Sequence, residues 1–114
     1  MNDQAIEQEI LDKGLTAPRV TPADSEANIV DEFSFTVGDV ARALQCPASK
    51  AVDLLTICVL TLKNGFTVTG ESACASPENF DAELGHKIAR QNAVNKVWPL
   101  MGYALKERGM WKKR

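Results

Sequence analysis

The feature that most constrains the fold is an Asn-Gly pair, Asn64-Gly65, inside the segment TICVLTLKNGFTVTGE. The pair lies between two runs rich in β-branched residues, and Asn-Gly favours a two-residue type I′ turn, in which both residues need a positive φ. The segment therefore predicts an antiparallel hairpin over residues 56–71. In the register that such a turn sets, Lys63 pairs with Phe66.

This register divides the hairpin side chains between two faces that both carry apolar residues. Ile57 and Val59 share one face, and Leu60 and Leu62 share the other. One face is expected to pack on the chain's own helices, and the face with Leu60 and Leu62 needs either another helix or another subunit as cover. The pattern favours a homo-oligomer. The predicted interface residues are Leu60, Leu62, Tyr103 and Trp111.

Shorter elements are predicted before the hairpin. Apolar residues at helical spacing, with Gly14 after the first run and Thr21-Pro22 before the second, indicate short helices over residues 3–13 and 22–31. Alternating aromatic and hydroxyl residues predict an edge strand over residues 33–36, and a further helix is expected over residues 37–44.

The longest predicted helix follows the hairpin, over residues 76–109, with Ser76 as its N-cap and Pro77 in its first turn. Pro99 lacks an amide hydrogen, so it is expected to kink or restart this helix. An apolar stripe along the helix is expected to cover the sheet. Its residues are Phe80, Leu84, Ile88, Ala89, Ala93 and Val97.

Together these elements predict one α+β domain of 114 residues. A small antiparallel sheet centred on the hairpin is covered by a long kinked C-terminal helix and short N-terminal helices. The predicted parts are N-terminal helices (1–32), a short strand and helix (33–55), the hairpin (56–71), the kinked helix (76–109) and a basic tail (110–114). No apolar run is long enough to span a membrane and the N-terminus is acidic, so a cytoplasmic protein is expected.

Charge is polarised along the chain, although the formal net charge is only −2. Residues 1–39 hold nine acids and two bases, whereas residues 87–114 hold eight bases and one acid. Such polarity has three interpretations: complementary surfaces in an oligomer, a basic tail that reaches for phosphate or nucleic acid, or two ordinary solvated faces.

The cysteines and the single histidine give little sign of a metal site or of catalysis. Cys46, Cys58 and Cys74 form no CxxC pair, and His86 lies twelve residues from the nearest of them. Neither a metal nor a cofactor is therefore expected. A cysteine hydrolase would need Cys74 to meet His86, an awkward geometry, so the sequence favours a protein without enzymatic activity.

The connection from the hairpin to the long helix is the candidate ligand site. It combines a tight turn, glycines, polar side chains and a helix N-terminus, whose free amides attract anions. Glu78 and Asp81 in the first turn oppose anion binding, so a capped helix start without a ligand is the alternative. The candidate ligand-binding residues are Asn64, Thr69, Gly70, Glu71, Ser72, Ser76 and Asn79.

Residues 36–55 have the apolar spacing of a degenerate helix-turn-helix. Gln45 stands where the turn glycine is usual, and Lys50 lies close to Asp53, which is poor for contacting phosphates. A DNA-binding regulator is therefore the alternative function, and a connector helix is the simpler interpretation. The candidate nucleic-acid contacts are Lys50, Lys112, Lys113 and Arg114.

Three blocks of the sequence resemble one family. The block NGFTVTGESACASPENFDAELGHKIARQNAVNKVWPLMGYALKER, residues 64–108, closely resembles small phage and prophage proteins named after gene forty-nine of coliphage N-four and gene sixty-six of a Shigella phage. DKGLTAPRVTPADSEANI and LLTICVLTLKNGF, residues 12–29 and 54–66, also look like that family. The resemblance implies a phage origin and no particular catalytic residues.

The favoured hypothesis is a non-enzymatic phage accessory protein that binds and neutralises a host component. Small size, the phage resemblance, the uncovered sheet face and the polar connection favour this function over catalysis. The expected partners are a second copy of the chain and either a host antiviral defence protein or its nucleotide-type signal.

Overall fold

The computed structural model describes residues 3–15 and 17–109, and it confirms the α+β fold. Short 3-10 turns, Lys50–Leu54 and Pro77–Asn79, precede the second strand and the last helix. The other elements are α1 (Asp3–Asp12), α2 (Pro22–Ala27), β1 (Ile29–Thr36), α3 (Val37–Ala43), β2 (Leu55–Leu62), β3 (Thr67–Ala73) and α4 (Ala82–Arg108). None of these helices is both long enough and apolar enough to cross a bilayer.

The three strands form one antiparallel sheet in the order β1-β2-β3, so β1 is an edge strand as predicted. It begins at Ile29, however, and the prediction that α2 extends over residues 28–31 is wrong. Asn28 ends the helix, because both its carbonyl and its side-chain oxygen accept a hydrogen bond from the Lys63 amide, at 3.0 and 3.2 Å. The β-branched residues that follow then join the sheet.

The hairpin turn has three residues, and the predicted two-residue turn is wrong. Leu62 donates to the Phe66 carbonyl at 2.8 Å, which leaves residues 63–65 in the loop. Gly65 has a φ of +88°, but Asn64 does not share the positive φ that a type I′ turn requires. The Asn64 side chain instead accepts a hydrogen bond from the Phe66 amide at 2.9 Å.

Relative to the predicted register, β3 is shifted by one residue, which moves its side chains to the opposite face with respect to β2. Val68 and Gly70 therefore lie on the same face as Cys58 and Leu60. Leu60 and Leu62, 0% and 4% exposed, lie in the core beneath α4, so their predicted place at an oligomer interface is wrong. The core consists of Cys58, Leu60, Leu62, Val68, Ala89, Ala93, Val94 and Val97.

The other side of the sheet, here called the outer face, is open to solvent at its centre. Phe33 is 62% exposed and pairs in register with Val59, while Phe35 pairs with Ile57. The rings of Phe33 and Phe35 lie 5.4 Å apart. The residues that the structure describes therefore leave one apolar face uncovered, and this face is formed by residues other than those expected to be exposed.

Small residues allow α4 to lie close to the sheet. A Cβ atom at Gly70 would stand 2.1 Å from the carbonyl oxygen of Ala89 and 2.3 Å from the amide nitrogen of Ala93. Leu84 and Ile88, which were expected in the covering stripe, are 53% and 43% exposed. The face of α4 that contacts the sheet is thus the alanine face, because the glycine in β3 permits a close approach.

The long helix starts later than predicted and continues through its proline. Asp81 is the N-cap, and its carboxylate accepts a hydrogen bond from the Leu84 amide at 3.1 Å. Ser76 makes no capping bond, since its hydroxyl donates to Glu78. Pro99 lies inside α4, so the helix does not restart there.

The helix-turn-helix interpretation of residues 36–55 is wrong. Gln45, with a φ of 55°, follows the end of α3, and the predicted recognition helix is a single 3-10 turn that runs directly into β2. Arg42 and Asp53 join the two parts through a 2.7 Å ion pair. A five-residue 3-10 turn offers no helix that could enter the major groove.

Candidate functional site

The predicted ligand-binding residues do not converge on one site. Asn64 lies at the hairpin turn, whereas Ser72 and Asn79 lie at the opposite end of β3. There, Ser72 and Asn79 line a small, mostly apolar cleft of about 220 Å³ between β3 and the start of α4.

The other members of that set have structural partners. Thr69 and Glu71 lie on the outer face, where the hydroxyl donates to the carboxylate at 3.5 Å. Gly70 is buried against α4, so it cannot approach a phosphate. Ser76 is engaged with Glu78. These four residues are therefore engaged in contacts within the protein, and ligand binding by the predicted set stays a prediction.

A larger groove of about 490 Å³ lies at the hairpin-turn end of the sheet. It is bounded by the connector before α2, by α2 itself, by the hairpin turn and by the C-terminal part of α4. We call it the basic groove. It is lined by Arg19, Val20, Asp24, Ala27, Asn28, Lys63, Asn64, Met101, Ala104, Leu105 and Arg108.

Local structure explains why these side chains meet. Met101, Ala104, Leu105 and Arg108 follow the spacing of one helical face, so they form a continuous wall along α4. The opposite wall is held by the hydrogen bonds from the Lys63 amide to Asn28, which tie the turn to the end of α2.

The basic groove has more positive than negative charge. Its one carboxylate, Asp24, belongs to the capping box of α2, and hydrogen bonds from Thr21 lower the pKa of Asp24. Arg19 is paired with Glu7. Within residues 3–15 and 17–109, neither Lys63 nor Arg108 has a carboxylate partner. Two cations thus remain free to meet an anion.

A second group of charged residues lies between β1 and α4, and its members are paired with one another. Arg90 binds Glu26 through both terminal nitrogens, at 2.8 and 3.0 Å, and binds Glu32 through Nε at 2.7 Å. His86 Nε2 lies 3.1 Å from Glu32 Oε2, and His86 Nδ1 lies 2.7 Å from the Ser34 hydroxyl. These five residues are here called the paired cluster.

The pKa values in the paired cluster reflect these contacts. Hydrogen bonds from Arg90 hold the pKa of Glu26 below its ordinary value, and the two carboxylates raise the pKa of Arg90. The neighbouring Cys58 lies on β2, opposite Ser34 in the register. Burial, and then the charge of Glu32, raise the pKa of the Cys58 thiol.

The order of contacts from hydroxyl to imidazole to carboxylate is that of a hydrolytic triad. Ser34, however, is paired with Cys58 within the sheet rather than placed in a strand-to-helix turn, where successive amides form an oxyanion hole. Glu32 is also bound by Arg90. The resemblance to a triad is therefore one of connectivity alone.

Cys74 and His86, which a cysteine hydrolase would need to bring together, do not contact each other. Cys74 follows β3, and its thiol donates to the Ser76 carbonyl at 3.2 Å. His86 is held by Ser34 and Glu32 at the other edge of the sheet. No local sequence pattern indicates the contact between Ser34 and His86, because the two residues are 52 positions apart.

The remaining predicted residues stay predictions. Tyr103 is 71% exposed on α4, and Lys50 is exposed at the start of the first 3-10 turn. Four further candidates lie outside the described residues: Trp111, Lys112, Lys113 and Arg114.

Comparison with known proteins identifies a family but no individual relative. A model of the phage protein (N4 Gp49/phage Sf6 gene 66) family matches residues 20–108, which include both β1 and the whole of α4. No curated protein and no solved structure matches the chain. The chain therefore belongs to the phage protein family of N4 Gp49 and phage Sf6 gene 66.

Proposed function

We propose that this phage protein is a non-enzymatic accessory protein that binds a phosphorylated small molecule of nucleotide type in the basic groove. By sequestering such a molecule in the host cytoplasm, it would neutralise a nucleotide signal of the host's antiviral defence. The observation that carries the proposal is that Lys63 and Arg108, which have no carboxylate partner among the described residues, line one groove with an apolar wall.

The chemistry of the groove fits the two halves of a nucleotide. Met101 and Leu105 offer an apolar surface to a base. Lys63 and Arg108 offer charge-assisted hydrogen bonds to phosphate oxygens, and the Asn64 amide adds a polar group at the rim. A volume of about 490 Å³ lies within the usual range for small-molecule sites.

The main test is a calorimetric titration of the full chain with nucleotides. The panel contains linear and cyclic nucleotides, with the matching unphosphorylated nucleosides and inorganic phosphate as references. We expect at least one phosphorylated compound to bind, and its nucleoside to bind far more weakly. Each lost charge-assisted contact costs about 1.5–3 kcal/mol, so Lys63→Glu or Arg108→Glu should weaken binding about 10- to 100-fold.

Lys106→Glu is the matched control. Lys106 lies in the last turn of α4 and is exposed, but it does not line the groove. The same charge reversal there should leave affinity nearly unchanged. Equal losses in Lys63→Glu and Lys106→Glu would indicate a long-range charge effect, and the groove would not be the site. Absence of binding across the panel would reject a nucleotide ligand.

We also propose that the chain forms a homo-oligomer through its outer face. Support comes from Phe33, which is 62% exposed beside Phe35 on an apolar sheet surface, since such patches commonly mark interfaces. Phe33→Asp should lower the mass found by sedimentation. Leu44→Asp, at another exposed apolar residue, should not. A wild-type monomer at all concentrations would contradict this proposal.

A further inference from the structure

Two members of the paired cluster, Glu32 and His86, lie close to Cys58, and the three side chains are of types that bind metal ions. Glu32 comes from β1, Cys58 from β2 and His86 from α4. One carboxylate oxygen, the thiol sulfur and one ring nitrogen lie within 4.8 Å of one another. Carboxylate, thiolate and imidazole together form a donor set that suits Zn²⁺ better than Mg²⁺ or Ca²⁺.

The separation of the donor atoms is already close to that of a metal site. His86 Nε2 and Glu32 Oε2 lie 3.1 Å apart. Two ligand atoms around a tetrahedral Zn²⁺ are about 3.3 Å apart when each bond is about 2.0 Å. An ion could therefore replace the direct contact between the imidazole and the carboxylate with only small movements of both side chains.

The remaining polar atoms of these ligands are engaged elsewhere. His86 Nδ1 lies 2.7 Å from the Ser34 hydroxyl, an arrangement that leaves Nε2 to face Glu32. Arg90 Nε donates to Glu32 Oε1 at 2.7 Å, so Oε2 is the oxygen directed at the imidazole. Outer hydrogen bonds of this kind orient the histidine and carboxylate ligands of metal sites.

Cys58 is the third proposed ligand, and it approaches the other two from the sheet. It is fully buried on the inner face of the sheet, between Ser34 and Gly70 in the register. His86 and Glu32 are about one-third exposed, so the open side of the cluster is on their side. An ion could enter from there, while the thiol side is closed.

We propose that Glu32 Oε2, Cys58 Sγ and His86 Nε2 bind a divalent ion of the Zn²⁺ class, with water in the fourth position. Binding displaces two protons to solvent, one from the Cys58 thiol and one from His86 Nε2, so that the thiolate and Nε2 can each bond to the metal. The bound neutral imidazole carries its one proton on Nδ1, which donates to the Ser34 hydroxyl. Ser34 and Arg90 are positioning residues that hold the two other ligands. This site is separate from the basic groove, and the proposal does not depend on a nucleotide ligand.

The test is cobalt substitution of the full chain after treatment with a chelator. Co²⁺ bound through a thiolate gives a sulfur-to-metal charge-transfer band, and tetrahedral Co²⁺ gives visible d–d bands. We expect both to saturate at one ion per chain and to disappear when Zn²⁺ is added. His86→Gln and Cys58→Ser should each remove the charge-transfer band.

The other two cysteines provide the matched control. Cys46→Ser and Cys74→Ser, separately and together, should leave the spectrum intact, since neither residue is one of the three proposed metal ligands. Should Cys58→Ser fail to fold, His86→Gln decides the case, because His86 is only partly buried. Ser34→Ala should keep the spectrum and weaken the affinity for Co²⁺ about tenfold.

Three results would overturn the proposal. The first is the absence of a charge-transfer band in the wild-type chain at one equivalent of Co²⁺. The second is a band that persists in His86→Gln, and the third is a band that is lost in the double Cys46→Ser/Cys74→Ser variant. Metal analysis of the protein as purified adds an independent readout, with about one Zn²⁺ per chain expected for wild type and far less for His86→Gln.

Discussion

The paired cluster and the basic groove both contain residues from distant parts of the chain, but they use their charges differently. In the paired cluster, Arg90 binds two carboxylates, and its charge is balanced within the protein. In the basic groove, Lys63 and Arg108 have no carboxylate partner among the described residues. The charge of Arg90 is thus balanced inside the fold, whereas Lys63 and Arg108 lie beside an apolar wall where an anion could meet them.

The acidic N-terminal and basic C-terminal parts of the chain contact each other within one subunit. Acidic residues of the N-terminal third, Glu26 and Glu32, meet the basic C-terminal third at Arg90 within one subunit. Part of the polarity is therefore used inside the fold. Arg108, further along the same helix, lines the basic groove and has no carboxylate partner among the described residues.

The largest expected effect on stability comes from the contact between Gly70 and α4. This contact holds α4 on the sheet and thereby also places the α4 residues of the paired cluster. Gly70→Ala places a methyl group 2.1 Å from the Ala89 carbonyl oxygen. The free energy of unfolding should fall by about 1–3 kcal/mol in urea denaturation, since the backbone must move apart. In the control Gly102→Ala, no atom lies within 4 Å of the new methyl group. That variant should be about 0.5–1 kcal/mol more stable. A wild-type stability for Gly70→Ala would contradict the packing described here.

The next largest effect on stability distinguishes the paired cluster from the basic groove. Arg90→Met leaves Glu26 and Glu32 without their partner, so unfolding free energy should fall by about 1–2 kcal/mol. Lys63→Met removes an unpaired, exposed charge and should change stability by less than about 0.5 kcal/mol. The measurement is urea denaturation of both variants at neutral pH. If the two substitutions cost the same, the distinction between paired and unpaired regions fails.

The smallest effect is a pH dependence. The pKa of Glu26 is held below its ordinary value of 4.5 by Arg90, so its contribution to stability is present above that pH and is lost as the pH falls through the lowered pKa. Glu26→Gln should therefore reduce stability at neutral pH, by less than about 1 kcal/mol because Glu26 is half exposed. The difference from wild type should shrink in acid. A difference that grows as the pH falls would show that Glu26 is not stabilised as an anion.

Local patterns predicted much of the fold. The start of α2 after Thr21 and the edge strand ending at Thr36 were predictable because each depends on neighbouring residues. The pairing between the two hairpin strands was predicted wrongly, because Asn64-Gly65 suits turns of either length. One extra residue in the turn moves every β3 side chain to the opposite face relative to β2. The role of Gly70 was also missed, because the close approach of α4 is a tertiary contact.

The candidate sites were harder to predict than the fold. Lys63 and Arg108 meet only because the hairpin turn and the end of α4 lie at the same end of the sheet. Cys58 and His86 were judged by their distance along the chain, which is uninformative when strands and a helix bring donors together. Asn64 alone among the predicted ligand-binding residues lines the basic groove, and its neighbours there could not be identified from local spacing.

The most direct test of the account is native mass spectrometry of the freshly purified protein after exposure to a small-molecule extract of the host. We predict added mass of nucleotide size on the wild-type chain, which is lost in Lys63→Glu and Arg108→Glu and retained in Lys106→Glu. A wild-type chain that stays bare, or added mass that survives both groove substitutions, would contradict the claim that the unpaired charges of the basic groove bind a phosphorylated ligand.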